Sequence, residues 1–316
     1  MEFIFNFKFL MERDNKKISV IILTFNEEMH IERCIQSAKK YSDFIYIVDS
    51  FSTDETVSIA KSHNVNILQN KFVNYSKQFS WALNNINFKT DWIMRLDADE
   101  YLSDELINEM KNTLKNVNNE IVGINFKRRH IFMNRWIKHG GRYPLILLRL
   151  WRKNLGQIEK KWMDEHIIIK KGKTITLKNF FSDHNLKNLS FFIKKHDWYA
   201  SREAIDIILL SLKKNINELN MENSSLNASI KRNLKENFYN YLPIGLRPFL
   251  YFLYRYFFLL GFLDGKEGFI YHFLQGFWYR FIVDCKLIEF KKEIKNLNNY
   301  DEILKKLAFV SGLNIK

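Results

Sequence analysis

Trp92-Ile93-Met94-Arg95-Leu96-Asp97-Ala98-Asp99-Glu100-Tyr101 decides the fold: an apolar run that ends abruptly in carboxylates. Such a run, with turn chemistry behind it, reads as a buried strand and puts Asp97 and Asp99 at its C-terminal tip. In an open α/β sheet that edge is where ligands bind. Side chains alternate along an extended backbone, so residues two apart point the same way and Asp97 and Asp99 can share one site. Two carboxylates held close repel each other unless a cation lies between them. A hard divalent ion with oxygen ligands, Mn²⁺ or Mg²⁺, is the natural partner, and such ions also hold substrate phosphates. The competing reading is an Asp-rich turn ahead of a helix, since Ser103-Asp104-Glu105 before Leu106 is a helix start. A calcium loop is excluded, because Leu102 and Asn108 stand where its glycine and its last glutamate belong.

The chain upstream favours the functional reading. Ile18-Ser19-Val20-Ile21-Ile22-Leu23-Thr24 is a near-continuous β-branched run of the kind parallel strands show, and it stops at Phe25-Asn26-Glu27-Glu28. Ile31, Cys34, Ile35 and Ala38 then follow at the spacing of one buried helix face. A second strand, Phe44 through Val48, ends at Asp49, and Ser52-Thr53-Asp54-Glu55 reads as a capping box opening a helix that reaches Ser62. Residues 65–68 make a third strand, 76–86 another helix and 92–96 the fourth strand. Strand and helix alternate throughout this third of the chain, which predicts a parallel sheet with helices on both faces. The strand ends carrying Asn26-Glu27, Asp49 and Asp97-Asp99 would converge on one edge, a mononucleotide site. Neither a G-x-G-x-x-G nor a P-loop pattern occurs.

Thr24-Phe25-Asn26-Glu27-Glu28, Val48-Asp49-Ser50-Phe51-Ser52-Thr53-Asp54-Glu55-Thr56 and Leu96-Asp97-Ala98-Asp99-Glu100 resemble, in order and spacing, the three signatures of family 2 glycosyltransferases. The resemblance covers about residues 18–110, and the subgroup it points to contains lipopolysaccharide-core β-1,4-glucosyltransferase-like enzymes. It implies an α/β GT-A nucleotide-diphospho-sugar transferase fold, Rossmann-like and mostly parallel. It also implies that Thr24, Phe25, Asn26, Glu27 and Asp49 hold the nucleotide base and ribose, while Asp97 and Asp99 bind the metal and the sugar diphosphate. Lys77 falls where the family often places a basic contact to the nucleotide, with a solvated helix charge as the rival reading. The activity implied is inverting transfer of a sugar from a nucleotide-diphosphate donor, expected to be a UDP-sugar, to a saccharide or lipid-linked saccharide acceptor of lipopolysaccharide or capsule type. A metal-dependent nucleotidyl- or sugar-phosphate transferase is the alternative.

Beyond residue 115 the pattern is less regular. Residues 121–126 alternate weakly and Lys127-Arg128-Arg129-His130 forms a basic patch, by default a solvated face and otherwise a diphosphate or phospholipid contact. His139 to Pro144 reads as a loop before a strand over 145–151. Lys161-Trp162-Met163-Asp164-Glu165-His166 precedes an apolar strand. In the resembling enzymes an acid here is the base that deprotonates the acceptor, and since adjacent strand residues point opposite ways, only one of Asp164 and Glu165 can serve. His166 is a third metal ligand or, more simply, a hydrogen-bonded structural histidine, and Asp183-His184 carries the same ambiguity.

The expected organisation is a nucleotide-sugar-binding half over 1–115, an acceptor-binding half over 116–185 and a helical C-terminal region over 186–316. Within the last, 239–289 is intensely aromatic and flanked by Arg247, Arg255, Lys266 and Arg280. Its apolar run is shorter than a bilayer span needs, which suits a helix lying in the headgroup layer; a buried helical hairpin is the rival, and a short re-entrant hairpin is a further alternative. The net charge of +14 and 16% aromatic content point to phosphate-bearing partners. Nucleic acid is not expected, because the aromatics crowd one apolar tail and acidic strand ends would repel a phosphate backbone. Cys34 and Cys285 imply a reducing compartment. Glu2 and Lys8 interrupt the apolar residues 1–10 and no small-residue cleavage site follows, so the expected location is the cytoplasmic face of the inner membrane.

Overall fold

The computed structural model describes residues 18–159, 165–218 and 243–313. Asp164, the amino-terminal apolar run and the polar stretch 219–242 lie outside them. The chain divides into two compact units, residues 1–187 and 188–316.

In the first unit β1 (Ile18–Thr24) lies between β2 (Phe44–Asp49) and β4 (Trp92–Asp97), parallel to both, and β3 (Asn66–Gln69) extends the parallel set beyond β2. The β-branched run explains the central position: six of the seven β1 residues are buried, so the strand needs cover on both faces. Val20 and Ile22 face helix α1 (Ile31–Lys39) through Ile31, Cys34, Ile35 and Ala38, whereas Ile21 points to the other layer against Phe79 and Ala82. That second layer is α3 (Tyr75–Asn85), which follows the short α2 (Thr56–Ser62). At ~2 kcal/mol per buried aliphatic side chain, these two layers supply much of the drive that holds the strand ends in register.

After β4 the sheet continues as a mixed set in the order β4-β8-β6-β11-β5. Here β5 is Glu100–Leu102, β6 is Ile121–Phe132, β8 is Leu145–Arg152 and β11 is Lys173–His184. Between β5 and β6 runs α4 (Asp104–Asn116), started by the Ser103 hydroxyl accepting from the Leu106 N–H, as the sequence predicts. A two-residue strand, β7 (Arg135–Trp136), pairs with β6, and β9 (Gly156–Ile158) forms a separate antiparallel pair with β10 (Ile167–Ile169).

Three expectations change. The segment Ser52 to Glu55 is not a capping box: α2 starts at Thr56 with no side-chain cap, because the Ser52 hydroxyl is committed to Asp49 at 2.5 Å. Lys127 to His130 do not form a solvated patch; they continue β6, where Asp183 on β11 takes Arg128 at 3.3 Å and His130 at 3.2 Å. Finally, Glu100 and Tyr101 do not continue the Asp-rich turn but are the first two of the three residues of β5, paired antiparallel with Asp183 and Ser182.

The second unit is helical. It contains α5 (Leu189–Glu218), α6 (Leu246–Leu253), α7 (Gly265–His272), α8 (Tyr279–Ile294) and α9 (Tyr300–Ser311), with π-helical turns at Tyr254–Phe258 and Phe273–Trp278. Among the described residues no single helix is long and apolar enough to cross a membrane; the pair Leu246–Phe258 and Gly261–Ile294, bent by 74°, passes that test only when taken together.

Candidate active site

The parallel register Thr24↔Asp49 brings the first two strand ends side by side. Asp49 is fully buried, and the chain around it is built to satisfy its carboxylate. Thr24 donates to Oδ1 at 3.0 Å, the Ser52 N–H to Oδ2 at 2.9 Å and Gln69 to Oδ2 at 3.4 Å, besides the Ser52 hydroxyl. A saturated buried acid is rigid, so it fixes the loop that follows it. That loop is zipped to the loop after β1: the Asn26 N–H donates to the Ser52 hydroxyl at 2.9 Å, the Thr53 N–H to the Asn26 side chain at 2.9 Å, and the Glu27 N–H to the Thr56 hydroxyl at 2.7 Å. Asn26 and Phe51 both take the left-handed backbone, at φ +55° and +61°, and the rings of Phe25 and Phe51 are left exposed at the rim. Strain tolerated at a loop tip that exposes aromatic rings is typical of ligand-facing positions. Phe51 lies within the second signature, and nothing in the sequence marks its positive φ.

The third strand end departs from the alternation argument. Strand β4 stops at Asp97, and Ala98-Asp99 form a turn, so the two acids have separate surroundings. The Asp97 carboxylate accepts from the Tyr75 hydroxyl at 2.6 Å, from Arg95 at 3.3 and 3.5 Å and from Arg149 at 3.5 Å. Burial would raise its pKa, but Arg95 and Arg149 outweigh that and hold the carboxyl well below the usual range. Burial also raises the Tyr75 hydroxyl well above its ordinary range, with Arg95 opposing and Asp97 reinforcing, so the phenol stays a donor. The cation expected between the two acids is thus supplied to Asp97 by protein guanidiniums. Arg149 also pairs with the buried Glu100, whose other oxygen accepts the Asp97 N–H at 2.9 Å.

Asp99 instead faces the end of β11. Its carboxylate accepts from the Asn185 amide at 3.0 Å, and its carbonyl accepts the His184 N–H at 3.0 Å and Arg33 at 3.4 Å. Arg33 also donates to the His184 carbonyl at 2.7 Å. Burial, then the Arg33 charge, lowers the His184 pKa, so its ring is neutral at pH 7. Three residues on, Lys187 reaches the Asn26 carbonyl at 2.7 Å and Glu27 at 3.1 Å, while Glu27 holds the fully buried His30 at 2.6 Å. The segment from His184 to Lys187 therefore ties the first and third strand ends together. Apart from Asp183-His184, sequence reasoning passed over it; the signal available was a polar cluster directly after Phe180-Phe181, the apolar pair near the end of β11.

Glu165 is half-buried, and its carbonyl accepts Arg95 at 3.0 Å, so one guanidinium touches both Asp97 and the acid expected to act on the acceptor. His166 is exposed and pairs with Glu159 at 3.5 Å across the ends of β9 and β10, a structural role. Lys77 is exposed on the first turn of α3, next to Gln78, whose amide bonds Ser50 at 3.1 Å. Among the described residues no group of three or more His, Cys, Asp or Glu could by itself hold a metal ion. Asp99 fits one all the same: Mn²⁺ or Mg²⁺ is commonly held by one or two carboxylates together with substrate phosphates and water.

The first unit is similar in sequence to known proteins. The model of glycosyl transferase family 2 matches residues 19–180. A Rickettsia bellii protein named as an uncharacterized glycosyltransferase is 45% identical over 96 residues, 30% of this chain and 32% of that protein. One from Rickettsia typhi is 27% identical over 203 residues, 61% of this chain and 68% of that protein. The chain thus spans about a third of the first relative's length. Among solved structures, glucosyl-3-phosphoglycerate synthase from Mycobacterium tuberculosis, in complex with Mn²⁺, UDP and glucosyl-3-phosphoglycerate, is 20% identical with a TM-score of 0.31, over 36% of this chain and 44% of that one.

Proposed function

Because the chain belongs to glycosyl transferase family 2, we propose that it moves a sugar from a nucleoside-diphosphate donor, a UDP-sugar, to a hydroxyl of a saccharide or lipid-linked saccharide acceptor, with inversion at the anomeric carbon. The observation that carries the reading is the convergence of Thr24, Asp49 and the Asp97-to-Asp99 turn at the carboxyl ends of adjacent strands β1, β2 and β4, the edge where α/β sheets bind nucleotides. In this reading the rim rings of Phe25 and Phe51 bracket the base, the loop held by Asn26 and Glu27 shapes the ribose pocket, and Lys77 offers its charge to the phosphates. Asp99 holds Mn²⁺ or Mg²⁺, and the bound ion would neutralise charge developing on the diphosphate. Asp97, pinned by Arg95 and Arg149, orients the turn that carries Asp99.

The transfer balances as a single displacement. A carboxylate, Glu165 or its neighbour Asp164, takes the acceptor hydroxyl proton as the new bond from oxygen to the anomeric carbon forms. On the opposite face the bond to the diphosphate breaks, and its electron pair leaves with the nucleoside diphosphate.

The test is a panel of nucleotide sugars incubated with the protein, with Mn²⁺ or with a chelator, and read for nucleoside diphosphate. Metal-dependent release from one donor, lost in Asp99→Asn, is the expected result. Release of sugar 1-phosphate or of nucleoside monophosphate instead would make the protein a nucleotidyl or a sugar-phosphate transferase, and no release or binding with any donor would refute both.

A further inference from the structure

The second unit bends where its surface is most apolar. Between the π-helical turn Tyr254–Phe258 and α7, the chain passes Leu260 in the left-handed conformation and enters a short 3-10 turn, Gly261–Asp264. Phe257, Phe258, Leu260, Phe262 and Leu263 are all exposed at this bend, Phe258 to 77%. A contiguous patch of that kind marks a contact surface.

Two further features say what it contacts. First, the backbone at the bend satisfies itself: the Leu259 N–H reaches the Tyr254 carbonyl at 3.0 Å, Leu260 reaches Phe257 at 3.2 Å and Leu263 reaches Leu260 at 3.0 Å. Internal pairing of this kind is what a hydrocarbon environment demands of a turn. Second, the charges are turned inward. Arg255 is the one charged residue between Pro248 and Leu263, and it is 4% exposed. Asp264 and His272 are buried beneath the bend, 3.8 Å apart. Gly261 makes that packing possible, since a Cβ there would lie 2.7 Å from the His272 ring.

We propose that residues 257–263 form a wedge that enters one leaflet of an anionic lipid bilayer and returns on the same side. Neither arm spans alone: Leu246–Phe258 at ~1.5 Å per residue is about 20 Å long against a hydrocarbon core of about 30 Å, Gly261–Ile294 is long enough but lacks the apolar content, and the 74° bend turns the chain away from its entry direction. Lys266, exposed just past the wedge, and the net charge of +14 suit anionic headgroups. The sequence alone suggests a helix lying flat in the headgroup layer; the structure instead presents a point. The inference uses the second unit only and stands whether or not the first unit transfers a sugar.

The experiment uses the full chain with vesicles of phosphatidylcholine containing about one third phosphatidylglycerol. An environment-sensitive fluorophore is placed at Phe258→Cys in a Cys285→Ser background and, as a control, at Phe309→Cys, whose phenylalanine is 83% exposed on α9. The wedge predicts a blue shift at 258 on adding vesicles, quenched by lipids spin-labelled within the acyl chain, and no change at 309. Because the rings of Phe257 and Phe258 face outward, Phe257→Ser with Phe258→Ser leaves the circular dichroism intact and weakens vesicle binding about 100-fold. Three results overturn the proposal: vesicle-bound protein whose 258 label stays in water, the double variant binding as wild type does, or a label shielded without lipid in a protein that sediments as a dimer.

Discussion

Arg149 should be the residue whose loss costs the first unit most per atom removed. Its guanidinium is 5% exposed and serves two carboxylates, the 2%-exposed Glu100 and the half-buried Asp97. Burial already pushes Glu100 well above the usual carboxylate range, with Arg149 opposing and Asp97 adding to the shift. Arg149→Met keeps the stem and removes the positive charge that opposes the shift. Glu100 then takes up a proton and Asp97 keeps Arg95 alone. Breaking a buried pair by deleting one partner costs about 3–5 kcal/mol, and the proton uptake places this case near ~3 kcal/mol. That is a roughly 150-fold shift in the local folding equilibrium. Glu100→Gln added to Arg149→Met leaves no buried glutamate to compensate and should return about half of the loss. Hydrogen exchange of peptides covering 92–102 and 145–152, followed with urea, reads the opening free energy where the pair sits. If Arg149→Met opened these strands no more readily than wild type, or if the second substitution restored nothing, the ion-pair account of this strand end would fail.

The two acids of the turn should separate experimentally. Asp99→Asn is expected to weaken Mn²⁺–UDP binding by at least about 10–100-fold, the loss seen even for outer partners of metal ligands, whereas Asp97→Asn should weaken it less and instead lower stability, because two arginines lose their counter-charge; calorimetry and denaturant unfolding read the two effects. Replacing Phe51 with Ala should cost about 1–3 kcal/mol of nucleotide affinity, the worth of one aromatic stack on a base, with no change in unfolding midpoint. Glu109 on α4 accepts the N–H groups of Lys178 and Asn179 at 2.8 and 2.9 Å where β11 slips register. Burial raises its pKa, but these hydrogen bonds outweigh it and leave the carboxyl lowered. Its stabilisation is therefore present above the unfolded value near ~4.3 and is lost as pH falls through the lower folded one. Glu109→Gln should flatten stability against pH in that acid window.

What was legible in the sequence was what strand chemistry dictates locally. The β-branched run 18–24, the helix face of Ile31, Cys34, Ile35 and Ala38 and the acid closing β2 all stand where the pattern put them, since burial on both faces leaves such segments no other solution. The errors have one source: a side chain's partner is not the one its local spacing suggests. Ser52 read as a cap because its spacing to Glu55 is right, yet a buried carboxylate three residues earlier competes for the hydroxyl and wins, being unable to go unsatisfied. Lys127 to His130 read as solvated because nothing local meets them; Asp183, far along the chain, takes Arg128 and His130, and Ser182 takes Arg129.

The same logic governs the D-x-D turn. Its spacing suggests paired ligands, but Arg149 is contributed by a strand whose place beside β4 only the antiparallel register Met94↔Leu150 reveals. With its charge met inside the fold, Asp97 can remain ionised whether or not a donor is bound, so the turn keeps its shape between substrates. Asp99, outside that arginine pair, is then the acid whose surroundings a metal and a diphosphate can change. In the proposed reading, a turn with one acid fixed by protein cations and the other left to the metal would bind and release a metal–nucleotide complex without unmaking the strand end that positions it.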